Sequence, residues 1–191
     1  MKTVTIETLL NGLLEIPAED FVIGTVCDFL RANPVKSDSL VPYLFFSQTC
    51  YTRNLIFKNE LFEMMTLCWE NGQATPIHDH ANQNCWMAMP QGKLRVINFR
   101  TAEIVAGKNL CRVEQTEQLD IEESCAAEVD PAEPIHQILN LPEFGDRAVS
   151  LHIYSRPFTS CQIYSTSLNE VRTRQLCYYS IDGRLCDNTR A

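Results

Sequence analysis

The four histidines of this chain have a spacing that suits metal chemistry. His78 and His80 form a His-x-His pair, whereas His136 and His152 stand separately in later apolar runs. On a β-strand, alternating side chains would place both rings of the pair on one face, roughly 6.5–7 Å apart. A third ligand can then come from a distant strand. No carboxylate stands at the usual companion position, so the pattern predicts a neutral three-histidine metal site. Imidazole suits iron, copper, nickel and zinc, and ligand type alone does not choose among them.

The size and charge of the chain restrict its function classes. Its 191 residues suffice for one well-cored domain, and 45% hydrophobic with 21% charged residues is ordinary for a globular protein. A net charge of −8 argues against binding to nucleic acid and to anionic membranes. No apolar run approaches the roughly 20 residues that cross a bilayer, and no signal peptide is recognisable. We expect a soluble, cytoplasmic monomer with no nucleic-acid or membrane partner.

Nine cysteines are present, which is a high number. A disulfide framework would need an oxidising compartment, for which the sequence has no export signal. A zinc module would need Cys-x-x-Cys pairs, yet no two cysteines are closer than Cys177 and Cys186. Most of the cysteines are therefore interpreted as small, buried apolar residues.

The pattern of apolar residues changes along the chain. Residues 6–14 and 21–30 have helical periodicity, and a short helical segment is predicted at 40–46. Short strand-like runs alternate with turn residues after Tyr51, as in an antiparallel sandwich or barrel; they cover 51–57, 61–69, 85–89, 94–99, 111–116, 135–139 and 148–154. We predict a single domain over 1–191. It would comprise a helical front (about 1–48), a barrel (about 51–165) and a C-terminal extension (166–191).

Two spaced motifs give this barrel a more specific interpretation. The first is Gly72-x5-His78-x-His80-x4-Cys85-x6-Gly92. It resembles the first signature of the cupin barrel, in which a glutamate usually occupies the position of Cys85. The resemblance implies a mainly β fold, the double-stranded β-helix or jelly-roll barrel, here with an N-terminal helical segment.

The second cupin signature is matched in part. Pro131, His136 and Asn140 keep its spacing, while Cys125 and Glu133 replace its two glycines. His136 is therefore the predicted third ligand of the metal site, and a cupin that has lost its metal is the alternative.

Further motifs resemble those of the cysteine dioxygenase family. Residues 51–55 (Tyr-Thr-Arg-Asn-Leu) look like a family motif that precedes the first strands. Residues 67–69 (Leu-Cys-Trp) followed by 77–80 (Ile-His-Asp-His) are similar to its metal-binding segment. Residues 150–155 look like its Ser-x-His-x-Tyr motif. The resemblance extends from about 21 to 161, and the tail from 165 onward is left unassigned.

The resemblance implies roles for individual residues. His78, His80 and His136 would bind Fe(II). Arg53 would pair with the substrate carboxylate, a task for which the rigid, always charged guanidinium is suited. Tyr51, in the same motif, would also contact the substrate. A structural arginine is the alternative for Arg53.

Ser150, His152 and Tyr154 alternate, so on a strand they would face one side. Such a row would let His152 orient the Tyr154 hydroxyl near the metal; an inward polar row that only satisfies itself is the alternative. In animal-type members of the family, the cysteine that matches Cys85 is joined to the tyrosine by a thioether. We therefore expect a partial Cys85–Tyr154 cross-link, formed during turnover.

One position departs from the family pattern. The family usually has Tyr-Ser-Pro-Pro-Phe, with a cis bond before the first proline, where this chain has Arg156. Since a cis bond before a non-proline residue costs about 2.5–4 kcal/mol, either the backbone differs here or a strained peptide is held in place. Arg156 would also add a cation beside the site, where it could bind the second carboxylate of a dicarboxylic substrate; a solvated arginine is the alternative.

The predicted function is an Fe(II)-dependent thiol dioxygenase that converts L-cysteine and O2 to cysteine sulfinic acid, a reaction of cysteine catabolism. The alternatives are a dioxygenase for 3-mercaptopropionate or mercaptosuccinate, and a non-catalytic cupin that binds a metal or senses a ligand. Relatives that act on 3-mercaptopropionate generally have glutamine in place of Arg53, which favours cysteine.

Overall fold

The computed structural model describes residues 2–105, 109–123, 126–128 and 134–187. Cys125, Pro131 and Glu133, three positions of the second signature, lie outside the described residues. Among those described, no helix has the length and apolar content that spanning a membrane requires.

The N-terminal third is helical, as the periodicity predicts. Helix α1 spans Ile6–Leu14, and the hydroxyl of Thr5 caps it by accepting from the amide of Thr8. Helix α2 spans Ile23–Ala32. Two 3₁₀ segments, Ala18–Asp20 and Ser37–Tyr43, complete this front. The second one lies three residues earlier than the helix predicted at 40–46, and the Pro42 it contains cannot donate to a continuing helix.

Thirteen strands follow within the described part of the chain. They are β1 Thr52–Lys58, β2 Phe62–Trp69, β3 Ile77–His78, β4 Cys85–Gln91, β5 Lys93–Val105, β6 Leu110–Glu122, β7 Ala126–Glu128, β8 Ile135–Leu139, β9 Ala148–Ser155, β10 Ser160–Ser165, β11 Glu170–Gln175, β12 Ser180–Ile181 and β13 Arg184–Leu185. A third 3₁₀ segment, Pro142–Phe144, joins β8 to β9.

The strands form two hydrogen-bonded layers. Seven of them make a sheet in the order β13-β12-β1-β2-β9-β4-β7, and the other six close into a ring in the order β10-β11-β6-β5-β8-β3. The predicted fold class, a mainly β cupin barrel behind N-terminal helices, is confirmed. The ring includes β11, so its strands continue past residue 165.

Strands β2 and β9 are buried on both faces. Their side chains point alternately into two separate hydrophobic cores. Phe62, Met64 and Cys68 point toward the helices, where they pack with residues of α1 and α2. Met65 and Trp69 point into the barrel instead. Because each fully buried side chain of this kind contributes about 1.5–3 kcal/mol, the alternation stabilises the helical front and the barrel interior together.

Backbone contacts join the two signatures at one end of the barrel. The amide of Gly72 donates to the carbonyl of Asn140 at 2.8 Å, and the amide of Asn140 donates to the carbonyl of Gln73 at 2.8 Å. Gly92 has φ +78°, and a Cβ there would lie 2.8 Å from the Arg147 carbonyl oxygen. Glycine is therefore required at position 92 by both conformation and space.

Candidate active site

Three histidines meet inside the barrel. His78 on β3 lies opposite His136 on β8, and the two ring centroids are 4.8 Å apart. The His80 ring lies 5.2 Å from His78 and 4.7 Å from His136. One nitrogen from each ring falls within 4.8 Å of the other two, which is the spacing of a metal-ligand set. The structure thus brings together the three residues that the spacing selected.

The route by which His80 reaches this cluster differs from the predicted one. Strand β3 contains only two residues and ends at His78. His80 begins a turn in which Ala81 has φ +51° and Asn82 has φ +61°, and the amide of Gln83 donates to the His80 carbonyl at 2.9 Å. Strand alternation therefore does not explain the convergence of the pair, since the turn supplies it.

The three rings suit a divalent transition metal. His78 donates from Nδ1 to the Pro76 carbonyl at 3.0 Å in its neutral form, which leaves Nε2 with a free lone pair. His80 Nδ1 and His136 Nε2 are buried without a hydrogen-bond partner. Burial lowers the pKa of His78 to about 4 and lowers those of His80 and His136 well below the usual range. Neutral, desolvated rings with unsatisfied nitrogens are the donors that such a metal requires.

The carboxylate of Asp79, between His78 and His80, makes its hydrogen bonds outside the histidine cluster. Asp79 Oδ1 accepts from the amides of Gln162 at 3.0 Å and Ala81 at 3.2 Å. Its Oδ2 accepts from the Tyr164 hydroxyl at 3.2 Å. Asp79 therefore anchors the turn against β10, and the candidate ligand set consists of histidines alone.

Strand β9 carries the expected polar row. His152 Nε2 lies 2.9 Å from Ser150 Oγ, and His152 Nδ1 lies 3.2 Å from the Tyr154 hydroxyl. Trp69 Nε1 donates to Ser150 Oγ at 3.0 Å, a contact that the sequence did not indicate. Burial, with Arg53 and His78 nearby, lowers the pKa of His152 to about 3. Burial also raises the pKa of Tyr154 well above its ordinary value, so the histidine is neutral and the phenol keeps its proton.

Cys85 and Tyr154 are direct neighbours across two strands. They are register partners in the antiparallel pair of β4 and β9. Both are buried, and burial raises the pKa of the Cys85 thiol. This places the two partners of the expected cross-link side by side.

Arg53 reaches the same space from β1. Its guanidinium carbon lies 5.8 Å from the ring centroid of Tyr154 and 5.9 Å from that of Tyr178. The Nε and Nη2 atoms are buried and have no hydrogen-bond partner. Tyr51, from the same motif, stacks on Trp69 with centroids 4.7 Å apart.

Some of these side chains line one small chamber, together with residues of the C-terminal strands. The lining comprises Tyr51, Arg53, Pro76, His78, His80, Tyr154, Phe158, Cys161, Arg174 and Leu176. The chamber volume of about 20 Å³ is little more than one water molecule needs. An adjacent cavity of about 250 Å³ shares four of these residues, Tyr51, Arg53, Arg174 and Leu176. Any substrate would therefore extend from the chamber toward this outer cavity.

Arg156 is not brought into this site. It is exposed, it is absent from the chamber lining, and its backbone has φ +52°. Cis peptides are absent from the described residues, so the bond before Arg156 is trans and the backbone takes a left-handed turn instead. This position favours the alternative given for Arg156, a solvated arginine, over a substrate-binding cation.

Several residues around the site were not predicted, among them Glu63, Arg174, Leu176 and Tyr178. Glu63 is completely buried, with its Oε1 3.6 Å from Arg53 Nη2. Its one signal in the sequence is a charge at an inward position of an otherwise apolar strand. The other three lie in the tail, where no motif marked them.

The fold and the site together define a cupin whose barrel carries a three-histidine metal-ligand set. The sequence profile of the family described as "Cysteine dioxygenase type I" matches residues 2–167. The chain belongs to this family.

Individual relatives agree with that assignment. Cysteine dioxygenase type 1 of Homo sapiens is 31% identical over 185 residues, covering 96% of this chain and 90% of the relative. The Danio rerio protein of the same name is 27% identical over 187 residues, with the same coverage. Among solved structures, a Klebsiella pneumoniae protein with a double-stranded β-helix domain aligns at 12% identity and TM-score 0.49. That alignment covers 66% of this chain and 95% of the other.

Proposed function

We propose that this protein is a thiol dioxygenase that converts L-cysteine and O2 to cysteine sulfinic acid, with ferrous iron as its metal. The observation that carries the substrate assignment is the Arg53 guanidinium. Its two unpartnered buried donors lie on the chamber that the histidine cluster also lines. Membership of the cysteine dioxygenase type I family supports the reaction.

His78, His80 and His136 would hold the metal, and their neutral rings leave its positive charge uncompensated for an anionic ligand. When bound, iron would supply positions for the thiolate and for dioxygen together with the redox chemistry that joins them. Arg53 would fix the other end of the substrate, since a guanidinium fork binds a carboxylate with two parallel hydrogen bonds. Holding the substrate at both ends orients its sulfur.

Tyr154 would act as a hydrogen-bond donor in the chamber. Its raised pKa keeps the proton on the hydroxyl oxygen, and neutral His152 fixes the direction of that hydroxyl. Ser150, which accepts a hydrogen bond from Trp69, holds His152 from the other side. The row therefore positions one phenolic proton without adding charge next to the metal site.

We expect turnover to join Cys85 to Tyr154 in part of the protein. Forming a bond between Cys85 Sγ and a Tyr154 ring carbon removes one hydrogen from each, and dioxygen is the oxidant that accepts two electrons and two protons. Intact-mass spectrometry after turnover should show a species lighter by two hydrogens. Cys85→Ser should lack that species, and Cys68→Ser, which alters a buried cysteine on the helix side of β2, should retain it. A wild-type mass that never changes would contradict the cross-link.

A dicarboxylic thiol such as mercaptosuccinate is a second candidate substrate, and Arg174 is the observation that favours it. This arginine lines both the chamber and the outer cavity, and it is the register partner of Cys161 in the pair of β10 and β11. A second carboxylate that extends outward from the chamber would meet it. The Arg174 guanidinium thus takes the role that the sequence suggested for Arg156.

Oxygen uptake by the Fe(II)-loaded protein tests both candidates. The panel is L-cysteine, 3-mercaptopropionate, cysteamine and mercaptosuccinate, with mass spectrometry of the products. We expect uptake coupled to cysteine sulfinate formation with L-cysteine and little turnover of cysteamine, which lacks the carboxylate. If only mercaptosuccinate is turned over, we would conclude that Arg174 determines the substrate specificity. Iron-loaded protein that consumes no oxygen with any thiol would contradict the proposed function.

A further inference from the structure

The Arg53 side chain lies against a group of charged and phenolic residues, Glu63, Lys58 and Tyr178, that belongs to no motif of the sequence. Glu63 on β2 is completely buried, and it points into the barrel with Met65 and Trp69, its alternate neighbours. Burial of an isolated carboxylate is strongly unfavourable unless charges and hydrogen bonds compensate it. The structure supplies that compensation from β1 and from the segment after β11.

Three groups surround the Glu63 carboxylate. Arg53 Nη2 lies 3.6 Å from Oε1, and Lys58 Nζ lies 3.9 Å from Oε2. The hydroxyl of Tyr178 donates to Oε2. The same hydroxyl accepts from Lys58 Nζ at 3.2 Å. Since an ammonium group only donates, the Tyr178 proton is directed to Glu63.

The Glu63 carboxylate attracts the Arg53 guanidinium electrostatically without accepting a hydrogen bond from it. At 3.6 Å the pair is within ion-pair distance but beyond a hydrogen bond. Arg53 Nε and Nη2 and Glu63 Oε1 are all without hydrogen-bond partners. The carboxylate therefore biases the direction of the guanidinium while leaving its N–H groups for an incoming anion. The centroid of the Tyr178 ring lies 5.9 Å from the guanidinium carbon, within the range of a cation–π contact.

The charges of the group also suit a single carboxylate. Arg53 and Lys58 are positive and Glu63 is negative, so the group carries one net positive charge. One substrate carboxylate makes it neutral.

We propose that Glu63 and Tyr178 are positioning residues that hold Arg53 in the orientation for binding the carboxylate of the thiol substrate; this inference rests on the proposed function. Residue 178 lies beyond the part of the chain that the family profile matches. The C-terminal segment thereby contributes to substrate recognition through Arg53, although it supplies no metal ligand.

The test compares two thiols that differ by the carboxylate alone. Fe(II)-loaded protein, kept anaerobic so that no turnover occurs, is titrated calorimetrically with L-cysteine and with cysteamine. The ratio of the cysteamine Kd to the cysteine Kd reports the contribution of the carboxylate. We expect this ratio to fall roughly tenfold in Glu63→Gln and roughly threefold in Tyr178→Phe, because each removes part of the support of a charge-assisted hydrogen bond. In the double variant the ratio should fall little further than in Glu63→Gln, because Glu63 and Tyr178 act on Arg53 as one unit.

Tyr43→Phe is the matched control, because Tyr43 packs with the core on the helix side. Its ratio should equal that of the wild type. If Glu63→Gln does not fold, the Kd ratio measured in Tyr178→Phe still tests the inference. A purely structural role would weaken both thiols equally and leave the ratio unchanged, and that result would overturn the inference while the proposed function stands. Wild-type protein that binds neither thiol would overturn both.

Discussion

Arg53→Gln should raise the KM for L-cysteine about 100-fold, because truncating one side of a buried, hydrogen-bonded charge pair costs about 2–5 kcal/mol. The guanidinium is only 11% exposed, so water cannot replace its contact with the substrate carboxylate. Metal content should stay unchanged, since Arg53 contacts no histidine ring through a hydrogen bond in the structure. Steady-state oxygen uptake together with metal analysis measures both quantities.

A control for this prediction is Arg100→Gln, which removes an exposed arginine whose carboxylate partner, Glu114, lies 3.6 Å away. Surface ion pairs of this kind contribute about 0–1 kcal/mol, so the kinetics should not change. Unaltered kinetics in Arg53→Gln with full metal content would refute the carboxylate role of Arg53.

His136→Ala should abolish metal binding at stoichiometric concentrations and, with it, thiol oxidation. Loss of a residue that only supports a ligand already costs roughly 10–100-fold in metal affinity, and loss of a ligand itself should cost more. His136 is buried with its Nε2 unpartnered, so little hydrogen bonding within the protein is lost with it.

Thermal unfolding separates this effect from misfolding. A metal that binds only the folded state stabilises it by about 2.7 kcal/mol when its concentration is 100 times the Kd. Fe(II) under anaerobic conditions should therefore raise the Tm of the wild type and leave that of His136→Ala unchanged, while the metal-free forms unfold at similar temperatures. An equal rise in both proteins would show that His136 is not a ligand.

The site illustrates which features of a sequence reveal chemistry. His78, His80 and His136 were predictable because the cupin signatures fix ligands at characteristic spacings. Arg53 was predictable because a family motif surrounds it. The row of Ser150, His152 and Tyr154 followed from the two-residue period of a strand.

Other features depend on contacts that no local pattern encodes. Glu63 and Tyr178 are 115 positions apart, and their meeting depends on how β1, β2 and the C-terminal strands assemble. The strand interpretation of the His-x-His pair failed for a related reason: hydrogen bonds from β10 to Asp79 decide where β3 ends and the turn begins. Strands β10 to β13 carry few apolar residues, so hydrophobic patterning gave little indication of them.

The placement of Arg174 and Leu176 on the chamber, and of Tyr178 on the adjacent outer cavity, has a consequence for how the protein comes into being. Ribosomes deliver the chain from the N-terminus, so His78, His80 and His136 emerge before the wall that these three residues form. A nascent chain thus carries its candidate metal ligands while this wall and two strands of the ring, β10 and β11, are still missing. A metal bound at that stage would stabilise the early strands, which would put metal uptake ahead of substrate recognition in the order of synthesis.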